Sequence, residues 1–559
     1  MEGNRVTTKN PAWLPWIAVL GLWLSQPPLG WWPVAFIALV PYLLMIDRGE
    51  SLDCRRYVMI WAAGLVYWMV SLQGLRHAHP AMYACWLALS AYLAGYLPLF
   101  VWTSRQMIVA GMAGWMAVPI AWVGWECVRN YLLTGISAIM LGHSMANVPV
   151  MIQIADLMGT YGVSLVVASV NVAMHLLWRV FRGDNKPREV RIPILVIGVL
   201  LGATVGYGMF RLTEVTFDDT SGQQSLATFA LIQRNEAVEY IQDQSRETQM
   251  AQRYADTSLA AARASEQPID AFVWPESMFT GGVPWYVMEP GAKLPPEMAM
   301  HVDDLGEMVD SGQVYFRQRA FALQRDLQIE NRRHQPPHLI VGCSVIRYAE
   351  RPYLYSGVTH IHPDGERVDW YGKTHLVMFG EYIPLVQSIP FINAWLPPGM
   401  GIDLGPGPQR FMVNTTGVSP NICIETAVER VTLNHLAQLL QRDQMPDVVV
   451  TVTNDGWFHD SSVLEHHLRC AQLVAVAGRR PILSAANNGP TAWIDSRGQV
   501  VERLVNGTQG WIIATPERDT RTSVYLAIGD WPARGLAFVC VGMIGQAGWR
   551  RVRRRSNPT

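Results

Sequence analysis

The sequence predicts a polytopic α-helical membrane region joined to a layered α/β domain, with an apolar segment returning at the C-terminus. Three observations carry this reading. Half of the 559 residues are hydrophobic and only 16% are charged, a balance that suits a membrane protein with a soluble part. Up to about residue 210 apolar runs follow one another, most of them near the ~20 residues needed to cross a ~30 Å hydrocarbon core. From about 215 to 525, β-rich runs such as "LATFALIQ", "AFVWPES", "LIVGCSVI" and "DVVVTVTND" alternate with polar helical stretches such as "SRETQMAQRYADTSLAAARA", the pattern of a layered α/β fold. The expected domains are 1–214, 215–525 and 526–559.

Taken in order, the apolar runs lie near 12–28, 31–47, 57–74, 82–103, 107–128, 162–180 and 192–210, about seven helices in all. The first two flank "SQPPLGWW", a Pro/Gly turn with tryptophans, and read as a helical hairpin. No A-x-A-like site follows the first run, so a retained anchor is expected rather than a cleaved signal peptide. The tail carries "GLAFVCVGMIGQAGW", short for a span, and then "RRVRRRSNPT". Positive charge falls between alternate runs: Arg48, Arg55 and Arg56; Arg105; Arg179, Arg182, Lys186, Arg188 and Arg191; then Arg550, Arg551, Arg553, Arg554 and Arg555. The opposite loops are poorer in it, with Arg76 and Arg129 as exceptions. The positive-inside rule then puts both termini in the cytoplasm and the 215–525 domain on the outer side.

The net charge of −1 gives no reason to expect a nucleic-acid partner. The seven cysteines show no C-x-x-C pairing, so no disulfide framework is expected.

Three segments of the α/β domain carry chemistry. "FVWPESMF" ends an apolar strand with Glu276; "YGKTHLVMFGEYIP" offers Lys373 and Glu381; "SPNICIETAVER" offers Cys423 and Glu425. Taken singly, each has a plain structural reading: a solvated acid, a surface lysine, a cysteine packed between isoleucines. Together they form a reactive set. A thiol attacks an acyl carbon as thiolate and needs a base or a positive field. A carboxylate raised by burial can be that base, and a lysine with a backbone N–H can hold the oxyanion.

These three segments, in this order, resemble the signatures of the nitrilase superfamily, which implies an α-β-β-α sandwich. The frame of helices resembles the apolipoprotein N-acyltransferase family within it. "PPLGWWPVAFIALVPYLL", "WVGWECVRNYLLTG", "GTYGVSLVV", "TNDGWF" and "AANNGPTAWID" carry that likeness across nearly the whole chain. The resemblance implies Glu276 as general base, Lys373 as oxyanion stabiliser and Cys423 as nucleophile. Glu381 and Glu425 match further acids, holding Lys373 or positioning an amine, and the Ile424 N–H completes the oxyanion hole. The implied reaction passes an acyl chain from a membrane phospholipid through a Cys423 thioester to the α-amino group of a diacylglyceryl-cysteine on a lipoprotein. It implies no cofactor and no metal. The implied place is the bacterial inner membrane, with catalysis on the periplasmic side.

The chain departs from the family at Ile424, where tyrosine is usual, at Met378, where proline is usual, and at "ISA" after Gly135, where Phe-Pro-Trp is usual. Asn454, Asp455 and Trp457 read either as a pocket-lining loop or as turn residues. His375 reads as a structural hydrogen-bonder. His466, His467 and Cys470 fit no standard zinc spacing. Glu126 and Arg129 could pair or meet a lipid head group. The segment from about 280 to 335 is either a lid over the acyl chain or a surface insertion. Two other functions compete: a membrane-anchored amidase, and a nitrilase-like binding module without activity. The full Glu276/Lys373/Cys423 set weighs against the second, and the helical frame against the first.

Overall fold

The computed structural model describes residues 11–47, 52–80, 82–214, 226–238, 243–281, 283–293, 302–378, 380–382 and 401–556. Arg48, the start of the 215–525 domain and residues 294–301 of the 280–335 segment lie outside the described residues. The chain forms two compact units, Met1–Glu214 with Ile528–Thr559, and Val215–Ala527.

The first unit is helical. Among the described residues, Met82–Val109, Ala155–Phe181 and Pro187–Thr213 are long and apolar enough to cross a membrane, and Leu14–Ser25 and Trp32–Asp47 are apolar but shorter. The runs near 57–74 and 107–128 fold as helices Cys54–Ser71 and Gly114–Tyr131, which take in Arg55 and Arg56, and Glu126 and Arg129. The fourth run continues past residue 103 to Val109; Gly111, at φ 98°, ends it and sets the next helix off at Gly114. The tail helix Trp531–Ser556 is longer than its apolar core suggests and lies against Gly124, where a Cβ would stand 2.5 Å from Cys540 Sγ.

Buried polar side chains tie this unit together. Asn171 accepts from Leu39 N at 2.8 Å and donates to Ala35 O at 2.8 Å, pinning the second apolar run. Glu126 and Arg129 both have local partners. Glu126 Oε1 accepts from Trp122 Nε1 and Leu141 N (2.9 and 2.7 Å). Arg129 lies 5.1 Å over the Trp68 ring and donates to Ala138 O. The "ISA" departure therefore has local partners: Ser137 Oγ donates to Asn130 Oδ1, and Ala138 receives Arg129.

Among the described residues, the second unit holds two sheets. The strands are β1 Phe229–Gln233, β2 Ala271–Trp274, β3 Trp285–Met288, β4 His338–Tyr348, β5 Pro352–Ile361, β6 Val368–Gly372, β7 Phe411–Val413, β8 Thr416–Ile422, β9 Val448–Thr453, β10 Ile482–Ala486, β11 Ala492–Ile494, β12 Val500–Arg503 and β13 Gly510–Ala514. One sheet runs β13-β1-β2-β4-β5-β6 with β3 beside β4; the other runs β12-β11-β10-β9-β8-β7. The centre of each is parallel: β1 with β2 and β2 with β4, β8 with β9 and β9 with β10.

Strand periodicity divides the core in two. Phe229, Leu231, Val273, Ile340 and Val358 face Val418, Ile422, Val450, Val452 and Leu483 between the sheets. Ala230, Ile232, Phe272, Trp274, Leu339 and Val341 face outward onto Tyr254, Ala261, Phe316, Ala320 and Leu327, which belong to helices Gln244–Ala264 and Val302–Glu330. Helices Glu429–Gln441 and Ser462–Gly478 pack on each other, and the latter lies on β10 and β11, which completes an α-β-β-α sandwich.

Much of the segment from about 280 to 335 is the Val302–Glu330 helix, an outer layer of the sandwich whose Phe316, Ala320 and Leu327 are buried in the core. It is neither a lid nor a surface insertion over that stretch.

Candidate active site

Parallel strands release their carboxyl ends on one edge, and side chains in the turns that follow converge there. Glu276 stands two residues past β2, Lys373 directly after β6, Cys423 directly after β8 and Asp455 two residues past β9.

Lys373 is 1% exposed. A cation at that depth is tolerable only when it is paired and hydrogen-bonded. Its Nζ donates to Glu381 Oε1 at 2.6 Å and to Glu276 Oε1 at 3.3 Å. Ser356 Oγ donates to the same Glu276 oxygen at 2.9 Å, and Val377 N to Glu381 Oε2 at 2.8 Å. Lys373 is also fixed by its backbone: its N–H donates to Ser356 O, and its carbonyl accepts from Gly405 N. Burial works against the lysine's charge, but the two carboxylates outweigh it and hold its pKa well above the usual value. Glu276 is raised: burial is the largest cause and Glu381 adds to it, against the pull of Lys373 and Ser356.

Cys423 sits at a sharp turn with φ 48° and ψ −109°, heading the short helix Ile424–Ala427. Positive φ is uncommon outside glycine and costs the backbone energy. The turn is held by Cys423 N donating to Val452 O at 2.9 Å. Sγ lies 3.8 Å from Asp455 Oδ1. Burial, with the Glu276 and Asp455 carboxylates, pushes the thiol well above its usual pKa, and Lys373 only partly offsets them. The sulfur therefore rests as a thiol.

The two supporting acids separate in space. Glu381 meets Lys373. Glu425, fully buried, instead accepts from Tyr371 Oη, Thr374 N and Thr374 Oγ1 on one oxygen (2.7, 2.6 and 2.7 Å) and from Ile422 N on the other (2.8 Å). It ties the Cys423 turn to the Lys373 turn. Ile424 is half-buried in the first position of its helix, where an N–H has no intrahelical acceptor. Asn454 accepts from Asn487 Nδ2 at 3.0 Å, and Trp457 is half-buried in the Asp455–Phe458 turn. Met378 pairs with Tyr382 in an isolated bridge beside Glu381.

Several residues of the site are silent in the sequence. Ser356 comes from mid-β5. His467, which the sequence offers only within an ill-spaced metal set, approaches both Asp455 and the Cys423 carbonyl. Arg319 clamps the turn after Glu276, donating to Phe279 O and Thr280 O with its guanidinium 4.4 Å over the Phe279 ring. Gly342 left a signal, a glycine inside the apolar strand "LIVGCSVI". A Cβ there would stand 2.4 Å from Pro275 O and 2.5 Å from Glu276 Cα. Gly342→Ala should therefore displace the Glu276 turn, cost about 1–3 kcal/mol and lower activity more than Ser356→Ala. Thermal melting and turnover of the two variants side by side check this.

His375, half-buried, is held down to about 4, by burial first and Arg430 next, so it is neutral at working pH. Among the described residues of this unit, His338, His360 and His362 come within metal-ligating reach of one another. Two of them already meet other groups: Asp369 Oδ2 meets His360 Nδ1 and His362 Nε2, and Arg367 meets His362, while His338 Nδ1 meets His360 Nε2 within the trio.

Sequence comparison places the chain in a family. Residues 18–173 match the apolipoprotein N-acyltransferase N-terminal domain, and residues 230–525 match the carbon-nitrogen hydrolase domain. An apolipoprotein N-acyltransferase of Rhodopirellula baltica is 45% identical, the alignment covering 93% of this chain and 94% of that one. One of Geobacter metallireducens is 29% identical over 85% and 84%. An amidase from Nesterenkonia sp. of known structure is 16% identical with a TM-score of 0.35, covering 56% of this chain and 95% of the amidase. With a carbon-nitrogen hydrolase domain over the α/β unit and a near full-length relative at 45% identity, the chain belongs to the apolipoprotein N-acyltransferase family.

Proposed function

We propose that this protein transfers a fatty acyl chain from a membrane phospholipid, through a thioester on Cys423, to the α-amino group of the diacylglyceryl-cysteine that begins an apolipoprotein. The observation that carries the reading is the buried Lys373 held between Glu276 and Glu381 at the strand edge that also bears Cys423.

Because the sulfur rests as a thiol, attack and proton removal belong to one step. Glu276, raised toward working pH, takes the Sγ proton as sulfur adds to the ester carbonyl carbon. The oxyanion that forms accepts from Lys373 Nζ, which stays protonated at this depth, and from the N–H of Ile424. The C–O bond then breaks, Glu276 returns its proton to the departing alkoxide, and a lysophospholipid leaves. In the second half the neutral α-amine adds to the thioester carbon while Glu276 accepts its proton. The C–S bond breaks, the amide forms and the proton returns to sulfur. Glu381 keeps Lys373 in place through both halves. Asn454 and Trp457 flank the site as candidate substrate contacts.

The helical unit fits substrates that are both lipid-anchored. Extracting either from the bilayer costs about 0.8 kcal/mol per methylene, which a membrane-held site avoids. The positive-charge pattern favours the periplasmic side for the 215–525 domain, with 526–559 returning the chain to the cytoplasm.

Incubation with acyl-labelled phospholipid should label Cys423 in a hydroxylamine-sensitive way, and a diacylated lipopeptide should discharge that label into a triacylated product. No label in folded protein would sink acyl transfer. Discharge only to free fatty acid would make the protein a hydrolase.

A further inference from the structure

Beneath Cys423 lies a pair of side chains, His467 and Asp455, that the acyl-transfer scheme does not use. His467, on helix Ser462–Gly478, places Nε2 3.0 Å from the Cys423 carbonyl oxygen and Nδ1 3.1 Å from Asp455 Oδ2. A carbonyl oxygen and an ionised carboxylate only accept hydrogen bonds, and a neutral imidazole carries a single N–H. Both contacts are hydrogen bonds at once when both ring nitrogens carry protons. The other Asp455 oxygen accepts from Thr453 Oγ1 at 2.9 Å and faces Cys423 Sγ at 3.8 Å. The couple is secluded, with the Asp455 and His467 side chains 3% and 14% exposed.

We propose that His467 is a positioning residue held as an imidazolium, clamping the Cys423 carbonyl and neutralising Asp455, so that Asp455 can aim the thiol without locking its proton in place. For its catalytic consequence this rests on the acyl-transfer reading; the charge state of the couple does not. An unneutralised carboxylate this close to sulfur would oppose loss of the thiol proton, because like charges within a few ångströms disfavour each other. The imidazolium weakens that opposition, while Asp455 keeps the S–H bond that orients the nucleophile. The groups that face the sulfur are Glu276 after β2, Lys373 after β6 and Asp455 with Thr453 at the end of β9. Those that face the imidazole are Asp455, the Cys423 carbonyl and Glu276. Burial alone would discharge His467, and the couple with Asp455 raises its pKa instead.

The test is the pH profile of Cys423 alkylation by iodoacetamide, followed on its own peptide by mass spectrometry in full-length protein in detergent. His467→Gln keeps a donor for the carbonyl but removes the cation. Its midpoint should rise by about one pH unit, an approximately tenfold slower reaction at a pH below the midpoint. Asp455→Asn should move the midpoint down, and His467→Lys should return it toward wild type. Opposed displacements support the couple. Unmoved profiles, or a shift of both neutral variants in one direction, overturn it; unmoved profiles are also what a proton resting on Asp455 beside a neutral His467 would give. If His467→Gln does not fold, Asp455→Asn against wild type decides: a lowered midpoint supports the proposal, and an unmoved or raised one ends it. Alkylation needs no lipid, so this result stands apart from phospholipid labelling, and each can fail without the other.

Discussion

Cys423→Ala should leave the protein folded and remove all hydroxylamine-sensitive acyl label, with turnover at least ~10⁴-fold below wild type. The two halves of this expectation have separate causes. Sulfur is the atom that carries the acyl group in the proposed reaction, and neither Glu276 nor Lys373 can replace it as a carrier. The fold, by contrast, asks little of the sulfur. The Cys423 turn is held by its own backbone, through the bond to Val452 O and the contact of His467 with the carbonyl. Alanine tolerates φ 48° about as well as cysteine does. A side chain that is half-buried between two carboxylates also leaves little packing behind when shortened. The melting midpoint should stay within about 2 °C of wild type. Label that survives in this variant would mean another residue carries the acyl chain, and the reaction scheme would fall.

Lys373→Met should behave differently, losing both activity and stability. Methionine fills much of the aliphatic stem but removes the cation, so Glu276 and Glu381 then face each other with no counter-charge. Removing one partner of a buried ion pair costs about 3–5 kcal/mol, and losing one oxyanion donor about 10²–10³ in rate. The pH dependence follows from linkage. Without lysine the two carboxylates are favoured in their protonated forms in the fold, above their unfolded values. The native state then binds more protons than the unfolded state, so stability falls as pH rises. The variant should melt closest to wild type near pH 5 and furthest below it near pH 8, in thermal scans of both proteins across that range. A uniform deficit at every pH would mean that Lys373 acts by packing rather than by charge.

The reactive set was legible because its chemistry is local. Glu276, Lys373 and Cys423 each stand in or just after a β-like run, and residue type alone marks a thiol, an acid and a lysine as a possible set. The Val302–Glu330 helix was also within reach, since Leu305, Val309, Phe316, Ala320, Leu323 and Leu327 recur at helical spacing and are buried on one face. The apolar runs marked where helices lie, but the break at Gly111 and the continuation to Val109 show that hydropathy alone sets their ends poorly.

The supporting contacts were not legible, and the reason is register. Ser356 reaches Glu276 across 80 residues within one sheet, and Glu425 reaches Thr374 across 51 from one sheet to the other. His467 and Asp455 are only 12 residues apart, yet nothing in that spacing says that both turn toward Cys423. The apolar frame, the alternation of strands and helices and the three reactive residue types are written in the chain order, since they depend on composition and on periods of two and 3.6 residues. Folding in three dimensions is what gives Glu381 to Lys373 and Glu425 to the turn, and what puts a histidine beneath the nucleophile. Burial and hydrogen-bond partners are properties of neighbours in space, and the chain order does not contain them.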